Sequence, residues 1–210
     1  MSVDKSTHTR ILNAAEELFA QKGYHATSMR VLTEHAGVNL AAANYHFGTK
    51  EALLKEVIRR RLEPLNDVRL ARLNELVSHP ALPHGSLTVR DIFLAFVEPT
   101  LLFWEKTPGA RFFIRFIGRS MADPDNTVRS IFLGYMTPVF QRMIQLLTQA
   151  LPDMPQATLF WRLHFAIGAL AHAMNTMERC PLATEEIQIP NDARSMVELI
   201  IPFITAGMEA

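Results

Sequence analysis

Residues 28–47 of this 210-residue chain read SMRVLTEHAGVNLAAANYHF and carry the clearest structural signal in the sequence. Two short helical patterns flank Gly37, which can adopt the left-handed backbone of a tight turn. Asn39 can cap the second pattern, and the small side chains of Ala41 and Ala42 permit a close approach to DNA. A motif in which one helix braces a second helix that enters the major groove requires such a turn, such a cap and such small side chains. The stretch therefore predicts a helix-turn-helix.

The sequence around this motif is also helical in pattern. Apolar side chains upstream recur with the spacing of one helix face, namely Ile11, Ala14, Ala15, Leu18 and Phe19. Thr27 or Ser28 can cap the second helix, Asn39 the third and Thr49 the fourth. Five further helices are expected at 87–105, 109–121, 126–151, 156–179 and 192–208. The patterns predict an all-α fold of about nine helices.

Four prolines fall inside these helical patterns. We expect Pro64 to kink or restart the fourth helix, and we expect bends at Pro99, Pro138 and Pro202, because proline removes a backbone donor.

The charge distribution points to the N-terminal region as the part that meets a polyanion. The whole chain has 21 Lys and Arg against 21 Asp and Glu, so its net charge of zero argues, by itself, against nucleic acid. Residues 1–72, however, hold eleven basic and eight acidic side chains, a net +3, and the remainder holds ten and thirteen, a net −3. A basic N-terminal region and an acidic C-terminal region suggest that only the former contacts DNA.

Composition excludes several other classes. No apolar run reaches the roughly 18 residues of a membrane span, so no membrane association is expected. A single cysteine, Cys180, excludes an internal disulfide and fits a reducing, cytoplasmic location. His164 and His172 have no Cys or carboxylate in ligand spacing, so no metal site is expected. The sequence has no catalytic constellation, Gly-rich phosphate loop or nucleophile elbow, and we expect neither enzymatic activity nor a cofactor.

The sequence resembles the TetR family of transcriptional regulators over about residues 8–62. The resembling segments are LFAQKGY at 18–24, TS at 27–28, AGV at 36–38 and YHFGTKEAL at 45–53, in this order and with the family's spacing. The resemblance implies a homodimer whose two recognition helices read successive major grooves of a palindromic, double-stranded operator.

The resemblance also implies, position by position, which residues contact DNA. Ser28 and Arg30 would lie near phosphates, and Lys50 would hold a phosphate. The base-reading helix would begin at its cap, Asn39, and contribute Leu40, Ala41, Ala42 and Asn44, with Tyr45 and His46 at the edge of the groove. The family usually has tyrosine where Asn44 stands here. Asn44 can bond adenine bidentately, or it can contact a phosphate or cap the helix end, and both possibilities remain open.

In the TetR family the C-terminal helices form a ligand cavity, and this sequence supplies aromatic and methionine side chains for one. The candidate lining residues are Phe96, Trp104, Phe112, Arg115, Phe116, Phe132, Met136, Trp161 and Phe165. The alternative is that these aromatic residues fill an ordinary core. Arg111, Arg115 and Arg119 recur every four residues, so the stripe can bind a carboxylate or phosphate, or it can be a solvated or ion-paired face.

Over its whole length the chain is similar to the PsrA-like branch of this family, regulators that respond to fatty acids or their acyl-CoA esters. The similarity lies in NLAAANYHFG at 39–48, FWRLHF at 160–165 and IPFITAGM at 201–208. It implies a repressor that a hydrophobic effector, a fatty acid or acyl-CoA, releases from DNA. The alternatives are a sensor of drugs or aromatic compounds with the same fold, and a DNA-binding dimer without an effector.

The last two helices are predicted to form a dimer interface of four helices across a two-fold axis. The candidate interface residues are Leu163, Ile167, Gly168, Ala171, Met174, Met196, Leu199, Ile200 and Phe203. The predicted domains are a DNA-binding domain at 1–50 and an effector-binding and dimerisation domain at 51–210, with the helix at 51–78 connecting them.

Overall fold

The computed structural model describes residues 2–78, 87–121, 123–176, 190 and 192–210. Over these residues the chain is all-α, as predicted, with nine helices and no strand. They are α1 Ser2–Lys22, α2 Met29–Ala36, α3 Leu40–Phe47, α4 Lys50–Ser78, α5 Val89–Lys106, α6 Ala110–Met121, α7 Thr127–Ala150, α8 Gln156–Thr176 and α9 Ala193–Glu209. Cys180 and the end of the predicted helix at 156–179 lie outside the described residues.

The helices run continuously through their interior prolines. Pro64 lies inside α4, Pro99 inside α5, Pro138 inside α7 and Pro202 inside α9. The restart that we considered at Pro64 therefore does not occur. A proline removes only one intrahelical hydrogen bond, and packing of the remaining turns can keep a long helix intact.

The chain divides into two compact units. Unit 1 comprises residues 1–63 and 108–135, and unit 2 comprises residues 64–107 and 136–210. The helices α4 and α7 each contribute one part to unit 1 and the other part to unit 2. The functional boundary predicted after residue 50 remains a prediction.

Unit 1 is organised around α1, which packs against α2, α3 and α6. The apolar stripe predicted on α1 is buried, and Phe19 at its end has no exposed surface. The Phe19 ring stacks on Phe116 of α6 with centroids 5.6 Å apart, and it meets the edge of Tyr24 at 5.5 Å. The amphipathic pattern of α1 thus forms the core beneath the helix-turn-helix.

A buried carboxylate joins α1 to α4 within unit 1. Glu16 is 4% exposed and accepts hydrogen bonds from Arg61 Nε at 2.9 and 3.0 Å, and Arg60 Nη2 also donates to it. Gly109 leaves room for this cluster, because a Cβ there would lie 2.8 Å from Glu16 Oε1. Two guanidinium groups therefore compensate one buried charge.

Unit 2 is built around α5, which packs against α9 and α8. Most of α5 is buried, including Phe96 and Trp104. Two hydrogen bonds connect α9 to its neighbours. Ala193 N donates to Glu105 Oε1 of α5 at 3.3 Å, and Arg162 Nη1 of α8 donates to Met208 O at 2.8 Å. No helix in the described part of the chain has the length and apolar composition needed to cross a bilayer.

We expect Glu16→Ala to lower the free energy of unfolding by about 3 kcal/mol, because it leaves two part-buried guanidinium groups without their counter-charge. Urea denaturation followed by circular dichroism measures the change. Glu63→Ala is the matched control, since Glu63 pairs with Arg59 at the surface, and its loss should be below about 1 kcal/mol. Equal losses in the two variants would contradict the structural role of Glu16.

Candidate nucleic-acid interface

The turn between α2 and α3 depends on Gly37. Its φ is +62° and its ψ is 39°, the left-handed conformation expected of a glycine that ends a helix. The Gly37 amide donates to Glu34 O at 3.1 Å, and the Val38 amide donates to Thr33 O at 3.0 Å. These two bonds close the last turn of α2 and redirect the chain into α3.

Arg10 of α1 holds this turn from the other side. Its Nη2 donates to Ala36 O at 2.6 Å and to Gly37 O at 2.8 Å, two carbonyls at the end of α2. A Cβ at position 37 would lie 2.7 Å from this same nitrogen. Arg10 is not predictable from the sequence, because its partners are backbone atoms 26 and 27 residues away and leave no pattern in the sequence.

Both helices of the motif have side-chain caps at their N-termini. Of the two residues considered for α2, Ser28 is the cap, and its Oγ accepts from Val31 N at 3.3 Å. Thr27 is buried instead and donates to Gly23 O at 2.8 Å. Asn39 caps α3 as predicted, with its Oδ1 accepting from Ala42 N at 2.7 Å. The caps set the start of each helix.

One side of α3 is exposed and the other is packed. Ala43 and Phe47 are buried, whereas Leu40, Ala41, Asn44 and Tyr45 are exposed. Tyr45 is 81% exposed, so it does not pack on α1. An eight-residue helix thus offers two small or apolar side chains, one amide and one phenol to a partner.

The two remaining candidates on α3 lie between these sides. Ala42 and His46 are both half-buried. The His46 ring meets the edge of His8 from α1 with centroids 5.8 Å apart. His46 is therefore next to the core, at the border of the exposed side.

Lys50, the first residue of α4, sits against Tyr24. Its Nζ donates to Tyr24 O at 3.2 Å and lies 4.2 Å from the centroid of the Tyr24 ring. Partial burial lowers the pKa of Lys50, and burial raises the pKa of the Tyr24 phenol. Lys50 has further N–H donors beyond the one used here, so it can add a contact to an external anion.

Arg30 is near the start of α2, and its guanidinium reaches Glu34 with Nε 3.2 Å from Oε1. Both side chains are mostly exposed, at 85% and 66%. An exposed ion pair contributes little, so Arg30 can exchange Glu34 for a phosphate at small cost.

The candidate ligand-binding residues are divided between the two units. Unit 2 contains buried Phe96, Trp104 and Met136 and the exposed Trp161 and Phe165. Unit 1 contains Phe112, Arg115, Phe116 and Phe132. Among these, Phe116 is buried against Phe19, Phe132 is half-buried, and Phe112 and Arg115 are exposed.

The arginine stripe of α6 lies at the surface. Arg111, Arg115 and Arg119 are all exposed, and Arg119 Nη1 donates to Gln21 O at 3.4 Å. Exposure favours the interpretation as a solvated or ion-paired face over an anion site in the interior.

Within unit 2, α8 and α9 expose large apolar side chains. Five of them are at least half exposed: Phe160 and Trp161 at 54%, Phe165 at 64%, Leu199 at 61% and Phe203 at 67%. We call these five residues the α8–α9 apolar surface. Trp161 lies 5.7 Å from Phe160 and 6.0 Å from Phe165, measured between ring centroids.

The candidate dimer residues fall into two groups. Leu163, Met174 and Ile200 are buried within the protomer, and Ile167 and Met196 are half-buried. Gly168, Ala171, Leu199 and Phe203 are exposed. Trp161 and Phe165, considered as ligand residues in the sequence, belong to this exposed group. The buried candidates lie on the inner face of their helices. Sequence periodicity identifies apolar residues, but it does not show whether the same protomer or a second one covers them.

Two family models match the chain. The model described as "Bacterial regulatory proteins, tetR family" matches residues 11–57, which include the helix-turn-helix. The model described as "Tetracyclin repressor-like, C-terminal domain" matches residues 94–207, more than half of the chain.

One sequence relative and two solved structures are similar to this chain. The HTH-type transcriptional regulator UidR of Escherichia coli K12 is 40% identical over 52 residues, 25% of this chain and 26% of that protein, so the match spans about a quarter of the relative's length. The solved structure of the fatty acid degradation regulator FadR from Bacillus halodurans has a TM-score of 0.69 at 14% identity and covers 96% of both chains. The ketosteroid transcriptional regulator KstR2 of Mycobacterium tuberculosis has a TM-score of 0.61 at 16% identity, covering 95% and 93%.

We expect Asn39→Ala to lower the free energy of unfolding by about 1 kcal/mol, because the Ala42 amide loses its acceptor at the start of α3. Chemical denaturation measures the loss. Asn39→Ser should stay close to the unsubstituted protein, since serine also supplies a capping oxygen. If serine and alanine were equally destabilising, the side-chain cap would have no energetic role.

Proposed function

This chain belongs to the TetR family of bacterial regulatory proteins, and we propose that it is a ligand-responsive transcriptional regulator, not an enzyme, that binds operator DNA as a homodimer. The exposed side of α3, beside a turn held by Gly37 and Arg10, is the observation that carries this proposal. A capped helix of this length fits the major groove.

Asn44 is the residue that we propose reads a base. The Asn44 side chain is exposed, and within the described part of the chain it makes no hydrogen bond. The helix-end cap considered for Asn44 involves only its backbone carbonyl, which accepts from Gly48 N at 2.9 Å. A free amide can bond adenine through both of its polar atoms, and Leu40 and Ala41 can contact thymine methyl groups.

The surrounding residues can position α3 through phosphates. Lys50 retains free donors at the start of α4, and Arg30 forms only an exposed ion pair. Ser28 uses its hydroxyl oxygen as an acceptor and still has its proton to donate. Such contacts set the position of the protein on the duplex without reading its sequence.

For the dimer interface we propose the α8–α9 apolar surface. Large apolar patches on a protomer commonly mark a protein interface, and aromatic side chains are enriched in the centres of such interfaces. A two-fold arrangement would pair this surface with itself and present two α3 helices to half-sites about 34–36 Å apart.

As effector we propose a fatty acid or a related hydrophobic molecule. The support is the resemblance to the fatty-acid-responsive branch and the buried aromatic and methionine side chains of unit 2, among them Phe96, Trp104 and Met136. FadR, a similar fold, is named as a regulator of fatty acid degradation, whereas KstR2 is named as a ketosteroid regulator. The effector must bind the DNA-free state more tightly than the DNA-bound state, because otherwise it shifts no equilibrium.

Lys50→Ala should weaken binding to all DNA sequences alike and lower the slope of log affinity against log salt by about one unit, since one phosphate contact is lost. The measurement uses an operator selected from a random duplex pool, a scrambled duplex and a series of salt concentrations.

Lys55→Ala is the matched control for this experiment. Lys55 lies on the same helix but pairs with Glu51 at 3.0 Å on an exposed surface, and its substitution should leave the slope unchanged. A changed operator preference with an unchanged slope in Lys50→Ala would refute the phosphate role.

Phe165→Glu should dissociate the dimer, raising its dissociation constant about 100-fold or more, because each of two symmetric copies would place a charge in an apolar interface. Sedimentation equilibrium measures the mass, and operator affinity should fall in parallel. Phe112→Glu is the control, since Phe112 is also exposed, at 45%, but lies on α6. A Phe165→Glu variant that stayed dimeric would exclude the α8–α9 apolar surface as the interface.

A further inference from the structure

Arg69 of α4 is a cation in the interior of unit 2. Its side chain is 4% exposed. Its Nη1 donates to Asn66 Oδ1 at 2.8 Å and approaches Met136 Sδ at 3.5 Å, and its Nη2 donates to Thr100 Oγ1 at 2.7 Å. The guanidinium carbon lies 4.5 Å from the centre of the Phe96 ring.

All of these partners are neutral. Within the described residues no carboxylate lies at ion-pair distance from Arg69, whereas Arg60 and Arg61 share Glu16 and Arg72 pairs with Glu98. Burial lowers the pKa of Arg69 to about 9, so its guanidinium still carries its charge at neutral pH. The polar and aromatic neighbours orient the group but do not neutralise it.

One nitrogen of the Arg69 guanidinium also has no acceptor. Its Nε is buried and has no hydrogen-bond partner. The Thr100 hydroxyl, by contrast, accepts from Arg69 and donates its only proton to Phe96 O at 2.6 Å. An incoming oxyanion could therefore bond to the Nε–H without displacing any existing hydrogen bond.

A buried cation without a counter-charge is costly, and apolar side chains of similar volume usually stabilise a core better. The residues beside the guanidinium are otherwise those of an apolar core: Phe96 and Met136 are both nearly inaccessible, and Phe140 lies 6.1 Å from Phe96 between ring centroids. A molecule with one carboxylate and an apolar body matches both parts of this environment, because guanidinium groups bind carboxylates through paired hydrogen bonds.

We propose that Arg69 is the anion-binding residue of unit 2 and that the effector is an organic carboxylate with an apolar body. This inference rests on the proposed function, since it names the chemical class of the effector. In this proposal the buried Arg69, and not the exposed Arg115, pairs with the charge of the ligand. It also favours a free acid over an uncharged ester or a CoA thioester, because only the acid has a carboxylate at the end of its apolar body.

Equilibrium dialysis with palmitate, methyl palmitate and palmitoyl-CoA tests the proposal in the absence of DNA. The full-length protein should bind palmitate about 10- to 100-fold more tightly than methyl palmitate, the difference expected for a charge-assisted hydrogen bond. Arg69→Met, which keeps the volume but removes the charge, should bind both probes equally. Arg69→Lys should retain a preference for palmitate, and Arg72→Met, one turn along α4, should behave as the unsubstituted protein.

Thermal unfolding without ligand supplies the second measurement. Arg69→Met should have a Tm no lower than that of the unsubstituted protein, because it removes an unpaired buried charge. If this variant fails to fold, the guanidinium is structural and the proposal is overturned. The proposal is also overturned if the unsubstituted protein binds no palmitate, or if it binds the acid and its ester equally. Tighter binding of palmitoyl-CoA than palmitate would also overturn the carboxylate assignment. A protein that prefers palmitate but binds no duplex would refute the proposed function while supporting the anion site.

Discussion

The left-handed backbone at Gly37, with both neighbouring carbonyls held by Arg10, is the constraint on which the N-terminal unit depends. The end of a helix leaves carbonyl groups without partners, and here a side chain from α1 supplies the donors. The direction in which α3 leaves the turn is therefore coupled to the core helix rather than to the turn alone. A helix that reads bases, the role that we propose for α3, needs such support, because contacts with bases tolerate little displacement.

The two units differ in whether their buried charged side chain has a counter-charge. In unit 1, Glu16 is compensated by two guanidinium groups, which suits a rigid support for the helix-turn-helix. In unit 2, Arg69 has only neutral partners. A buried charge that already has a counter-charge is not stabilised further by a charged ligand. A buried cation without a counter-charge is stabilised by an anion that reaches it. This contrast is the physical basis for proposing a supporting role for the Glu16 cluster and an anion-binding role for Arg69.

The two exposed surfaces, on α3 and on α8 and α9, differ in their side chains, and their proposed partners differ accordingly. The outer side of α3 combines small, apolar and amide side chains, which suit the methyl, donor and acceptor groups of the major groove. The α8–α9 apolar surface has five large apolar side chains, which suit a second protein surface. Lys50 and Arg30 complete the first surface with positive charge, and neither requires a large energetic rearrangement to contact phosphate.

The sequence by itself determined the all-α class, the helix-turn-helix, the Asn39 cap and the helix positions to within a few residues, because helical periodicity, caps and turn glycines are local signals. Only the tertiary structure decided which apolar residues are covered: Leu163 and Ile200 lie inside the protomer, whereas Trp161 and Phe165 face outward. Arg10 and Arg69 were likewise invisible in the sequence. Apart from Asn66, their hydrogen-bond partners lie 26 to 67 residues away, and such contacts form only when helices pack together.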